Sequence, residues 1–109
     1  MFDSPLELYK RHAEESPRLT PGWFETKLRE SRRNSDEARD AIMVASLRLV
    51  VEYAMRRSWP AGVSTLDMVE EGNVVLLRAV ETFKGLDVFA YKEHVTRLLD
   101  EHLSSHWSK

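Results

Sequence analysis

Three carboxylates, Asp67, Glu70 and Glu71, fall within the ten-residue stretch STLDMVEEGN at positions 64–73. Like charges at helical spacing repel slightly, and a plain solvated face would mix lysines among them, so this grouping suits recognition of a cationic partner. Glu70 and Glu71 are neighbours on one stretch of chain, not opposed across a cleft, which argues against general acid/base work. His102 and His106 stand at i and i+4, a spacing that can chelate a divalent ion. No third ligand is evident and His94 falls on another part of the helix, so no metal site is expected. Without cysteine, a glycine-rich phosphate loop or a nucleophile with a visible base, no catalytic constellation can be assembled, and neither an enzyme nor a cofactor is expected. Two arginine clusters remain: Arg29, Arg32 and Arg33, and then Arg56 and Arg57. Both suit either phosphate contact or complementation of helix C-termini.

The elements that must position these groups are limited by composition. The chain has 109 residues, 31% charged and 42% hydrophobic, with four glycines and four prolines, which fits one globular domain with a modest core. The lack of cysteine suits a reducing cytoplasm. No apolar run is long enough to span a membrane, and the polar, acidic N-terminus is unlike a signal peptide. The net charge of −2 means that any nucleic-acid contact must be local or delivered by a partner.

Capping signals divide the chain into five helices, an all-α compact bundle. Ser4-Pro5-Leu6-Glu7 opens a short helix to about Glu15, and Thr20-Pro21 opens a second, with Trp23, Phe24 and Leu28 inward, closed by Arg32-Arg33-Asn34. Ser35 caps the longest helix, running to about Arg57. Its apolar residues, from Ile42 through Ala54, cover far more than one stripe, so it is expected at the centre of the bundle. Ser64-Thr65-Leu66-Asp67 starts a fourth helix to about Phe83, with Gly85 placed as a left-handed C-terminal glycine. Asp87 caps the last helix, which runs toward His106. Trp59 is expected to pack under its loop.

On the fourth helix, Val69, Leu76, Val80 and Phe83 share one side, with Met68, Val75 and Ala79 flanking them. Asp67, Glu70, Glu71, Val74, Leu77, Arg78 and Glu81 share the other, with Asn73 at the edge. Gly72 projects inward and is expected to allow a close crossing with the third helix. The outer face is acidic with an apolar centre, a mixture suited to docking.

Two phrases carry a family likeness. ARDAIMVASLRLVVEYAMRR followed by STLDMVEEGNVVLLRAVETF resembles conserved region 2 of the bacterial sigma-70 family, the initiation subunits of RNA polymerase. The match runs through Ser46-Leu47-Arg48-Leu49-Val50, then Asp67 to Asn73, Leu76-Leu77, Ala79-Val80 and Phe83. Asp3, Pro5 to Tyr9 and Leu19-Thr20 resemble the family's region 1.2. The resemblance implies a single domain over 1–109, with region 1.2-like helices in 1–34 and region 2-like helices in 35–109. It implies that the face of Asp67, Glu70, Glu71, Asn73 and Leu77 docks on the coiled-coil clamp helices of the polymerase β′ subunit, making core RNA polymerase the expected partner.

Promoter reading matches less well. In the family an aromatic-rich helix captures unstacked bases of the minus-ten element. Tyr91 and Arg97 can be placed on that pattern, and with Arg56 and Arg57 they form the expected promoter DNA contacts. The paired tryptophans become His94 and Val95, however, the base-reading glutamine becomes Leu98, and the usual asparagine of region 2 becomes Ser46. Glu93, Asp100 and Glu101 would repel phosphate. The sequence ends at Lys109 without the helix-turn-helix that reads the minus-35 element. The expectation is a sigma factor-like protein in transcription initiation or its regulation, with polymerase docking retained and minus-ten recognition weakened. The alternative is a partner-binding module without promoter contact: a competitor, a split-sigma subunit working with a separate DNA-binding protein or an anti-sigma factor, or a dimer formed through Trp107 near Leu103.

Overall fold

The computed structural model describes residues 4–107, with side chains through Ser104. Asp3, Trp107 as a side chain and the imidazole of His106 lie outside the described residues, so the sequence readings that rest on them have no structural counterpart. Among the described residues the elements are α1 (Pro5–Glu15), α2 (Pro21–Arg32), α3 (Asp36–Met55), α4 (Thr65–Thr82) and α5 (Val88–Trp107).

The helix starts follow side-chain chemistry. Ser4 Oγ accepts from the Glu7 amide at 3.2 Å and Ser35 Oγ from the Ala38 amide at 3.1 Å. Ser64 and Asp67 close a full capping box: Ser64 Oγ accepts from the Asp67 amide at 3.0 Å, and the Asp67 carboxylate accepts from the Ser64 amide at 3.3 Å. Asp87 takes the amides of Phe89 and Ala90, each at 3.3 Å. α2 starts differently, with Pro21 in its first turn and no side-chain cap from Thr20. Asn34, with φ of 71°, turns the chain between α2 and α3.

Arginines and a tryptophan take charge of several helix ends. Arg48 Nη2 donates to the carbonyls of Ala13 at 2.7 Å and Glu14 at 3.3 Å, at the end of α1. Trp59 Nε1 donates to the Ala54 carbonyl at 2.9 Å, folding its loop onto the end of α3. Arg32 Nη2 reaches from α2 to the carbonyls of Phe83 at 2.9 Å and Gly85 at 2.8 Å, just past α4. Gly85 corrects the sequence reading, because it has no positive φ; α4 ends on Phe83 in extended geometry, and the arginine takes up the carbonyls of the segment just beyond the helix.

α3 packs against all four other helices and is the central element. Ile42, Ala45, Val50, Val51 and Ala54 are buried along it, although Val44 is half exposed. Gly72 explains itself at the α3–α4 crossing. A Cβ built there would lie 2.7 Å from Val50 Cγ1 and 3.1 Å from Leu99 Cδ2, so only a glycine lets α4 approach both α3 and α5. Phe24, Phe83 and Tyr91 form an aromatic cluster joining α2, the loop after α4 and α5, the Phe24 and Tyr91 ring centroids 4.7 Å apart. Among the described residues no helix is long and apolar enough to cross a membrane.

Candidate functional site

The buried side of α4 is Met68, Val69, Gly72, Val75, Leu76, Ala79 and Val80. With those residues committed to the core, 3.6-residue periodicity turns Asp67, Glu70, Glu71, Val74 and Leu77 outward together, and all five are exposed. Val74 is the most exposed large apolar side chain of the molecule's described part at 68%, and Leu77 follows on the next turn at 39%. The two present an apolar spot beside three carboxylates. Asp67, Glu70 and Glu71 also line a shallow cleft of about 400 Å³, closed on its other sides by Val63 and Met68.

The carboxylates of this face are held differently. Asp67 is fixed by its capping box. Glu71 Oε2 lies 3.1 Å from His102 Nε2, tying the face to α5. Asn73 is half-buried at the edge, with its Oδ1 covered and unpaired, a condition that costs about 1–3 kcal/mol. Every residue placed on this face from sequence is therefore found there, Asn73 at its margin.

The second expected set is dispersed. Tyr91 is the main correction: its ring is fully buried among Phe24 and Phe83, and its hydroxyl meets Ser46 Oγ at 2.7 Å. It cannot serve as a stacking platform for an unpaired base, because the α5 face that carries it is the core face. Ser46 is likewise buried and donates to the Ile42 carbonyl at 2.7 Å. Burial pushes the Tyr91 hydroxyl up to about 12, offset in part by its hydrogen bond with Ser46. Arg57 stacks over the Tyr53 ring, 3.6 Å from its centroid, and approaches Asp100 at 3.4 Å. Arg56 is exposed with a long ion pair to Glu52 at 3.9 Å, and Arg97 is exposed on α5. Of the other arginine cluster, Arg32 is engaged with the carbonyls after α4. Leu103 is fully buried, which removes it from any surface with Trp107.

Packing also assembles a group the sequence did not bring forward. Arg18, Arg48 and Lys92 converge with Glu52 on a cleft of about 270 Å³ between the α1–α2 loop, α3 and α5. Beside it Phe89 is 63% exposed, with Lys92 Nζ 5.8 Å from its ring centroid. Cations around an exposed ring can hold a phosphate backbone and stack a base. The one available signal was Phe89 two residues after a capping Asp87; Arg48 is hidden inside an apolar phrase, and nothing in sequence links it to Arg18 thirty residues earlier. Among the described residues no cluster of histidines and carboxylates could hold a metal ion.

No family model matches the sequence. Curated proteins do match it, among them three sigma factors. The RNA polymerase principal sigma factor HrdC of Streptomyces coelicolor is 39% identical over 69 residues, 63% of this chain and 20% of the relative. The RNA polymerase sigma factor SigA of Clostridium acetobutylicum is 35% identical over 96 residues, 87% of this chain and 25% of the relative. The RNA polymerase sigma factor RpoD of Helicobacter pylori is 31% identical over 102 residues, 91% of this chain and 15% of the relative. The chain thus spans at most a quarter of the length of these three relatives.

Proposed function

Because this chain belongs to the bacterial sigma-70 family of RNA polymerase sigma factors, we propose that it binds core RNA polymerase through the outer face of α4 and acts in transcription initiation or its regulation. On this reading residues 1–34 are the region 1.2-like part and 35–109 the region 2-like part, and the protein works as a binding subunit with no catalysis of its own. The observation that carries the reading is the composition of one surface. Asp67, Glu70 and Glu71 adjoin Val74 and Leu77 on a helix whose opposite side is buried. Carboxylates steer a basic helical partner such as the β′ clamp coiled coil, and the two apolar groups supply a small desolvated centre. Asn73 adds an unpaired acceptor at the rim that gains a donor if docking turns the amide outward.

Captured core polymerase tests the proposal. Glu70→Lys combined with Leu77→Ala changes two exposed residues and should reduce capture at least tenfold while the circular dichroism spectrum and Tm stay as in the wild type. Undiminished capture would sink the docking assignment.

A second reading is favoured by the cleft of Arg18, Arg48 and Lys92 beside Phe89: a weak contact with the unpaired strand of promoter DNA, away from Tyr91. Specific run-off initiation from a fork-junction template, lost on Phe89→Ala with Lys92→Ala, supports it. Absence of any such initiation, with capture intact, favours a regulator that occupies the polymerase without specifying a promoter.

A further inference from the structure

His94 sits between α4 and α5 with both ring nitrogens engaged. Nδ1 lies 2.7 Å from Arg97 Nη2, and Nε2 lies 2.8 Å from Thr82 Oγ1. The direction of each bond is fixed by its neighbour. A guanidinium has only donors, so Nδ1 must accept. The Thr82 hydroxyl already gives its single proton to the Arg78 carbonyl at 2.7 Å, so Oγ1 must accept, and Nε2 must carry the hydrogen. Two independent constraints select the same neutral tautomer. The result is a chain of donors from Arg97 through the imidazole and Thr82 to the backbone of α4.

We propose that Thr82, His94 and Arg97 form a proton-controlled latch on the Arg97 guanidinium: closed with the neutral imidazole, which Thr82 orients from the end of α4 and whose Nδ1 holds the arginine, and opened when a proton on Nδ1 faces the arginine's own N–H, while the Nε2–H bond to Thr82 stays in place. A protonated ring has no acceptor left for Arg97, and two cations then stand where one hydrogen bond stood. Opening releases an exposed guanidinium that is otherwise engaged by the ring.

The charged groups around the ring agree with this geometry. Burial against the Phe83 ring, whose centroid is 5.7 Å away, lowers the histidine's pKa, as do Arg97 on its own helix and Arg78 on α4, while Glu101 acts in the opposite direction. The latch is therefore shut at neutral pH and opens below the usual histidine range. It is independent of the docking face and of the DNA reading, since it rests on hydrogen bonds within the chain alone.

Nitrogen-15 NMR of the intact protein tests it directly. At pH 8 the His94 ring should show the Nε2–H tautomer, and its titration midpoint should fall below that of a free histidine. Arg97→Gln should raise the midpoint by removing a cation, and Thr82→Val should weaken the preference for the Nε2–H form. An Nδ1–H tautomer in the wild type overturns the latch even if neither variant folds. A midpoint unmoved by Arg97→Gln in a folded protein overturns it as well.

Discussion

The hydroxyl oxygens of Ser46 on α3 and Tyr91 on α5 meet 2.7 Å apart inside the bundle, with both residues closed to solvent. Ser46 gives its proton to the Ile42 carbonyl, so the tyrosine donates to the serine. Removing the serine hydroxyl strands the other in an apolar site. Ser46→Ala should cost about 1–3 kcal/mol in urea denaturation, and the double change with Tyr91→Phe should cost less than the sum of the single ones.

The same burial sets an alkaline limit. The Tyr91 hydroxyl is raised to about 12 in the folded chain against 10.0 for the ordinary side chain. Its contribution is therefore complete below pH 10, where the unfolded chain also keeps the proton. That contribution is lost as pH rises through about 12, because unfolding lets the phenol ionise. Stability measured by denaturant titration should decline over this interval, and Tyr91→Phe should flatten that part of the profile.

Gly72→Ala sets helix propensity against space. Alanine is better than glycine in a helix interior by about 1 kcal/mol. Against that, the new methyl would stand 2.7 Å from Val50 Cγ1, on a β-branched side chain with little rotamer freedom. Overpacking of this kind costs about 1–3 kcal/mol, so a net loss in Tm is expected. Combining it with Val50→Ala should recover part of the deficit.

Asp67 has two tasks that can be separated. Its carboxylate closes the capping box at the start of α4, and it also belongs to the proposed docking face. Asp67→Ala should lower stability by about 1 kcal/mol through the lost cap. Asp67→Asn keeps an acceptor for the Ser64 amide while removing charge. It should leave Tm nearly unchanged and, on the docking reading, weaken polymerase capture several-fold, more so at low salt.

Arg32→Met keeps the aliphatic stem and deletes the donors to the Phe83 and Gly85 carbonyls. A loss of about 1–2 kcal/mol is expected, with faster amide exchange confined to the segment between α4 and α5.

The helices and the acidic face were legible because they are written in local signals. Ser4, Ser35, Ser64 and Asp87 cap helices where their positions implied, and the periodicity around Val69, Leu76 and Val80 placed the carboxylates outside. Gly72 read correctly because an interior glycine demands a neighbour too close for a side chain. What failed depended on rotation and on distant pairing. Family alignment put Tyr91 on a reading surface, but the rotation of α5 against Phe24 and Ser46 decides where its ring points. Gly85 has the position of a helix terminator, but α4 stops on extended Phe83, and Arg32, more than fifty residues earlier, holds the carbonyl of Gly85 instead. The cations around Glu52 were invisible for the same reason: two helices and a loop bring them together.

Among the described residues the backbones of α1 and α2 do not pack side by side, although the helices are consecutive, and each is braced mainly on α3. The N-terminal third is accordingly a pair of separate struts, not a hairpin. One strut can shift with little pull on the other, and Arg48 ties the last turn of the first to α3 beside the buried Ala13. Whatever draws that guanidinium elsewhere loosens α1 and leaves α2 in place.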